Sequence, residues 1–196
     1  MRSAVLIHSG ITDLTPLRGL PLVSLDLGWT EVTNLSPLEG MPLRVLCLTR
    51  TAVEDLSPLA GLPLTDLRLE GTGVRDLSPL RGMPLRYLDI SHTRVTDLGA
   101  LAGAPLEELH MNCSKVTDLA PVAGLPLKHI GLLDVPIADL LPLGACAALE
   151  TAVVPQGVKH VECLRKLPHL QQLNHKAPAE FWREFDASAT NAPERL

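Results

Sequence analysis

A leucine preceded by an acidic or amide residue returns every 21 residues, at Leu14, Leu35, Leu56, Leu77, Leu98, Leu119 and Leu140, and Val161 keeps the beat. The best copies read Leu-Ser-Pro-Leu-x-Gly-(Leu/Met)-Pro-Leu-x-x-Leu-x-(Leu/Ile)-x-x-Thr-x-Val-x-Asp. A fixed period of this length marks a solenoid. Each repeat is one coil that cannot bury its apolar face alone, and stacked coils share a continuous core. Such a chain offers an extended surface, which moves the functional expectation from catalysis toward binding.

The copy Leu56 to Asp76 shows how one coil forms. Leu64-Thr-Asp-Leu67-Arg-Leu69 alternates apolar and polar residues, the pattern of a short half-buried strand. Leu64, Leu67 and Leu69 face inward; Asp66, Arg68 and Glu70 face outward. Ser57-Pro58-Leu59 starts a single helical turn, with serine as its cap and proline tolerated at the first helical position. Gly61 ends that turn in a left-handed conformation, and Pro63 keeps Leu62 extended. With so few residues the outer side has room only for a 3₁₀ or one-turn helix.

Two polar columns run beside the leucines. Thr30, Thr51, Thr72, Thr93 and Ser114 predict a hydroxyl stack bonded to buried turn backbone, a binding line being the alternative. Asp13, Asn34, Asp55, Asp76, Asp97, Asp118 and Asp139 predict side chains that accept backbone N–H bonds where each Leu-Ser-Pro turn begins. A calcium stack is the sharper alternative, but the glycine-rich ligand loops of calcium solenoids are missing.

Of the 196 residues 46% are hydrophobic and only 3% aromatic, so the core must be aliphatic. The formal net charge of -5, without a basic cluster, argues against nucleic acid as a partner. No run approaches the ~20 apolar residues of a membrane span, and the first ten residues do not read as a signal peptide. The four cysteines have neither metal-like nor disulfide-like spacing, which reads as free thiols. The expected location is cytoplasmic.

The ends depart from the pattern. Ala4-Val-Leu6 aligns with a strand and Ser9 with the threonine column, so Met1 falls inside a repeat. After Asp118 the pattern loosens, and Cys146-Ala-Ala-Leu149 inserts one residue in the strand approach. The solenoid is expected to occupy residues 1–174, as a half coil plus about eight coils. A helix over 175–186 follows, with Phe181, Trp182 and Phe185 on one face. Its expected role is to close the open end of the leucine core, docking to another protein being the alternative. Residues 187–196 are expected to form a flexible tail.

The Leu-x-x-Leu-x-Leu core with Val or Ile five residues later resembles bacterial leucine-rich repeats related to the internalin type. Two departures stand out: threonine replaces the usual turn asparagine, and the repeat has 21 residues rather than 22. The variant at Leu35–Leu43 and Leu77–Leu85 is similar to repeats of planctomycete-type bacterial proteins, as is the ending Ala179-Glu-Phe-Trp-Arg-Glu-Phe185. The resemblance implies an α/β leucine-rich-repeat solenoid with a parallel sheet on the concave face and 3₁₀ turns on the convex face. In that family the repeats often follow a serine/threonine kinase domain. A regulatory part of a larger bacterial enzyme is therefore the alternative function, and the half-coil start points the same way. No glycine-rich phosphate loop, His-Arg-Asp or Asp-Phe-Gly is present to carry kinase chemistry.

The outward strand positions vary freely while the inward ones barely change. One enzymatic constellation, His92, His110, Cys113 and Asp134, spans neighbouring coils and is imaginable as a Cys-His nucleophile or zinc site. An open sheet offers it no pocket, no oxyanion donors and little desolvation. The remaining reading is a non-catalytic face for a protein partner, with no cofactor, formed by Trp29, Arg50, Asp66, Arg68, Tyr87, Asp89, His92, Glu108 and His110. Aromatic and arginine side chains are the usual interface anchors. A plain solvated face, serving as a structural spacer, is its bland counterpart.

Overall fold

The computed structural model describes residues 2–190. Nine parallel strands form one open sheet in strict chain order. They are β1 Ser3–Val5, β2 Ser24–Asp26, β3 Val45–Cys47, β4 Asp66–Arg68, β5 Tyr87–Asp89, β6 Glu108–His110, β7 His129–Gly131, β8 Thr151–Val153 and β9 Gln172–Leu173. The strands are shorter than the six-residue alternation suggests, but bonds between coils continue past them: the Leu69 N–H bonds to the Asp89 carbonyl at 2.7 Å and the Gly71 N–H to that of Ser91 at 2.9 Å. Register follows the repeat: Leu25, Leu46, Leu67, Leu88 and Leu109 stand opposite one another. Between β7 and β8 the inserted residue makes the step 22, pairing His129 with Thr151.

Each strand returns through a 3₁₀ turn on the opposite side, such as Ser36–Leu38, Ser57–Leu59 and Ser78–Leu80. Inside, the leucines are sealed: Leu64, Leu67 and Leu69 have no exposed surface. Gly61 sits at φ +76°, left-handed as its place after the turn requires.

The expected serine cap is overturned. Ser36, Ser57 and Ser78 are the first residues of their 3₁₀ turns, the cap position is leucine, and no cap side chain bonds there. The capping oxygen comes from one residue earlier. Asp55 Oδ1 accepts the Ser57 N–H at 2.8 Å and Asp76 Oδ1 accepts that of Ser78 at 2.7 Å. Asp13, Asn34, Asp97, Asp118 and Asp139 do the same in their own coils. The amide bond anchors one oxygen of each carboxylate, and at Asp55 and Asp76 the serine hydroxyl takes the other.

These bonds favour the charged carboxylate. The backbone bond from Ser57 leads in holding Asp55 below the ordinary aspartate value of 3.8, and the Ser78 bonds do the same at Asp76. A carboxyl group whose affinity for protons is lower folded than unfolded stabilises the fold above the unfolded pKa. It loses that contribution as pH falls through the folded pKa. The urea midpoint is therefore expected to decline as pH drops below about 4. The Asp55→Asn/Asp76→Asn double variant should show a shallower decline. Superimposable acid limbs in the two proteins would contradict the account.

The threonine column is internal: Thr30, Thr51, Thr72 and Thr93 donate to the carbonyls of Leu27, Leu48, Leu69 and Ile90 at 2.6–2.7 Å. Ser9 does likewise to Leu6. Ser114 is the exception, its buried hydroxyl having no partner among the described residues.

At the far end α1 spans Pro178–Thr190. It starts later than the expected residue 175, and residues 187–190, expected as tail, are helical. Phe181, Trp182 and Phe185 form one aromatic cluster packed against the leucine core. Arg165 lies over the Trp182 ring at 4.5 Å and pairs with Asp186. The remainder of the expected tail, residues 191–196, lies outside the described residues.

Candidate functional site: the concave sheet face

A parallel ladder places equivalent residues of successive coils side by side at about 4.8 Å, so outward side chains form rows across the face. Asp66, Tyr87 and Glu108 make one row; Arg68, Asp89 and His110 make the next. Within these rows the Arg68 guanidinium covers the Tyr87 ring at 4.9 Å, a cation–π contact. The Tyr87 ring lies 5.5 Å from His110, and Glu108 stands 3.8 Å from the His110 Nε2. Burial pushes the Tyr87 phenol up, with the Asp89 charge adding to it.

A second cluster lies at the edge of the face, where each strand turns away. His8, Trp29, Arg50, His92, Cys113 and Asp134 all have φ between 54° and 59°, and Gly71 shares the conformation at 69°. For non-glycine residues this left-handed geometry costs roughly 1–2 kcal/mol each. The ladder over-determines it: the N–H groups of Trp29, Arg50 and His92 bond to Thr49, Glu70 and Asn112 carbonyls on the next coil. The twist also throws these side chains outward. His8 stacks on Trp29 at 5.5 Å, and Arg50 covers the same ring at 5.5 Å. Arg50 then crosses Gly71 to reach Glu70 at 3.3 Å. A Cβ on Gly71 would lie 2.7 Å from the Arg50 Cδ, so the glycine makes room for that crossing.

The nine residues singled out from the sequence thus divide. Trp29 and Arg50 share the edge cluster; Arg68, Tyr87, Glu108 and His110 share the sheet cluster. Asp66 and Asp89 are engaged locally, accepting from the Thr65 hydroxyl at 2.6 Å and the Ser91 N–H at 2.9 Å. His92 is exposed at the edge, separated from Arg50 by the Gly71 coil. Sequence reasoning missed His8, although its place one period before Trp29 was a usable signal.

Burial pushes the thiols of Cys47, Cys146 and Cys163 above the ordinary cysteine value. Among the described residues no group of three His, Cys, Asp or Glu side chains could hold a metal ion. No described helix is long and apolar enough to cross a membrane.

No protein-family model and no curated protein matches the chain. Solved structures do. An internalin (inlF) from Listeria monocytogenes is 30% identical and superposes with a TM-score of 0.81 over 84% of this chain. The chain covers 51% of that protein, about half its length. Internalin C2 (inlC2) from the same species is 27% identical, with a TM-score of 0.83 over 88% of this chain and 79% of its own. The open nine-stranded parallel sheet, its 3₁₀ returns and these two superpositions together make the chain a leucine-rich-repeat solenoid, similar in fold to bacterial internalins.

Proposed function

We propose that this chain is a non-catalytic protein-interaction module whose concave face binds a protein partner. One observation carries the reading: Trp29 remains 53% exposed although clamped between His8 and Arg50. A large aromatic held rigid in water loses little conformational entropy on binding, which suits an interface anchor. Arg68 on Tyr87 repeats the arrangement nearer the middle of the sheet. The fold shared with the internalins supports the same reading. A cytoplasmic setting is part of it, supported by four cysteines that are all unpaired. The net charge of -5 favours protein over nucleic acid.

The test is quantitative capture from native lysate with the wild type and the Trp29→Ala/Tyr87→Ala double variant. Anchor residues of this kind are worth about 2 kcal/mol or more, so the double variant should lose at least ~30-fold in affinity for every specific partner. Undiminished capture by the double variant would remove the assignment.

A further inference from the structure

The N-terminal end of the solenoid is built differently from the end that α1 covers. β1 is the outer strand of the sheet. Leu6, Ile11 and Leu17 are only partly buried there, whereas Leu27, Val32 and Leu38, one period later, have no exposed surface. Leu20 is 40% exposed and Val5 69%. The leucine core therefore ends here as an open apolar cross-section.

The same end carries unpaired backbone. In the second coil the Ser24 N–H donates to the Arg2 carbonyl, and the Asp26 and Gly28 carbonyls accept from the N–H groups of Leu6 and His8. Ser3, Val5 and Ile7 hold the equivalent places in the first coil, and their edge-facing groups meet no strand among the described residues. Edge strands are commonly blunted by a proline or a charge. Ser3-Ala-Val-Leu-Ile7 has neither.

We infer that this end pairs with the same end of a second copy, β1 running antiparallel to its counterpart about a twofold axis through Val5. Hydrogen-bonded antiparallel pairs use alternate residues whose backbone groups point across the seam, and Ser3, Val5 and Ile7 are such a set. Val5 then faces its own counterpart, and Ser3 faces Ile7. A twofold axis normal to the sheet keeps each face on its own side, so the outward side chains stay outward and the two open leucine cores meet. A coil is a layer of 21 residues about 4.8 Å thick, which gives its open end on the order of 500 Å² and a joint of roughly 1,000 Å², enough for a weak specific dimer. Front-to-back stacking, which would continue into a filament, is blocked because the aromatic face of α1 occupies the other end. Pairing of two first coils closes after two copies and joins two concave faces into one.

The test is sedimentation equilibrium of the full chain between about 5 and 500 μM, a range that brackets the micromolar dissociation constant expected of so small a joint. The mass should rise from one 21.1 kDa chain to a plateau at two. Val5→Pro removes an N–H that faces the seam and breaks no bond to β2, a place where an edge strand tolerates proline. Val5→Lys keeps the backbone and sets two like charges on Cα atoms about 5.5 Å apart across the axis. Each should raise the dissociation constant at least about tenfold, with the dilute-solution melt and circular dichroism unchanged. Leu141→Lys replaces a comparably exposed side chain (54%) far from β1 and should change the constant by less than about twofold. A monomer throughout the range, or a mass that climbs past two copies, would overturn the inference. So would a dimer indifferent to both Val5 variants, or one weakened equally by Leu141→Lys.

Discussion

Leu67→Ala is expected to destabilise the protein by about 2–5 kcal/mol, the range for truncating a fully buried leucine. Leu67 has no exposed surface, lies in the middle of β4, and is flanked in register by Leu46 and Leu88. The gap left by its side chain cannot close locally, since collapsing one rung would pull the ladder bonds of two neighbours out of line. In a solenoid each coil contacts only the coils beside it, so a defect at the centre weakens the coupling between the two ends. Two tryptophans sit near those ends, Trp29 after β2 and Trp182 in α1. Single-tryptophan proteins, made with Trp29→Phe or Trp182→Phe, report each end separately in urea. In the parent the two transitions should coincide; with Leu67→Ala both should shift to lower urea and separate. A loss below about 1 kcal/mol with coincident transitions would show that the rungs do not share their stability in this way.

Much of this was readable beforehand because the repeat encodes the contact. When the period is 21, a residue's neighbour in space is the residue one period away, and Leu46, Leu67 and Leu88 follow that rule. The threonine and aspartate columns were readable for the same reason, since only local backbone could satisfy so many equivalent polar groups. Three features were not. The Asp55 bond to Ser57 displaced serine from the cap because the aspartate reaches the amide from two residues before it. The left-handed turn at Trp29 and Arg50 carried no glycine signature, except that Gly71 takes the same place. The close approach of Asn112 and His110 to Gly131 depends on side-chain direction, which is set by partners such as the Leu133 N–H that a repeat alignment does not show. Alignment identified the outward residues of the face. It could not show that Asp89 turns back to Ser91 while Arg68 lies across Tyr87.

Deleting residues 178–196 is expected to unravel the last coils while leaving the first six strands intact. Leu164 and Leu173 have no exposed surface, and Val161 is 4% exposed. Leu167 and Leu170 are half-buried and pack on the same core as Phe181, Trp182 and Phe185. Without the aromatic helix this end of the core faces water, at about 25 cal/mol for every Å² of apolar surface uncovered. β9 has little else to hold it: it is two residues long and pairs only with β8 within the sheet. Amide hydrogen exchange should accelerate at least a hundredfold across 151–174, while amides of β2 to β6 keep their protection to within a few-fold. The truncated chain should also self-associate as its concentration rises, because an uncovered apolar end is an adhesive surface. Trp182→Ala should give a smaller effect in the same direction, since its ring is only half-buried and Phe181 remains. If exchange across 151–174 is the same with and without the helix, α1 is not a lid on the leucine core. Its aromatic face would then be better understood as a docking element for another protein.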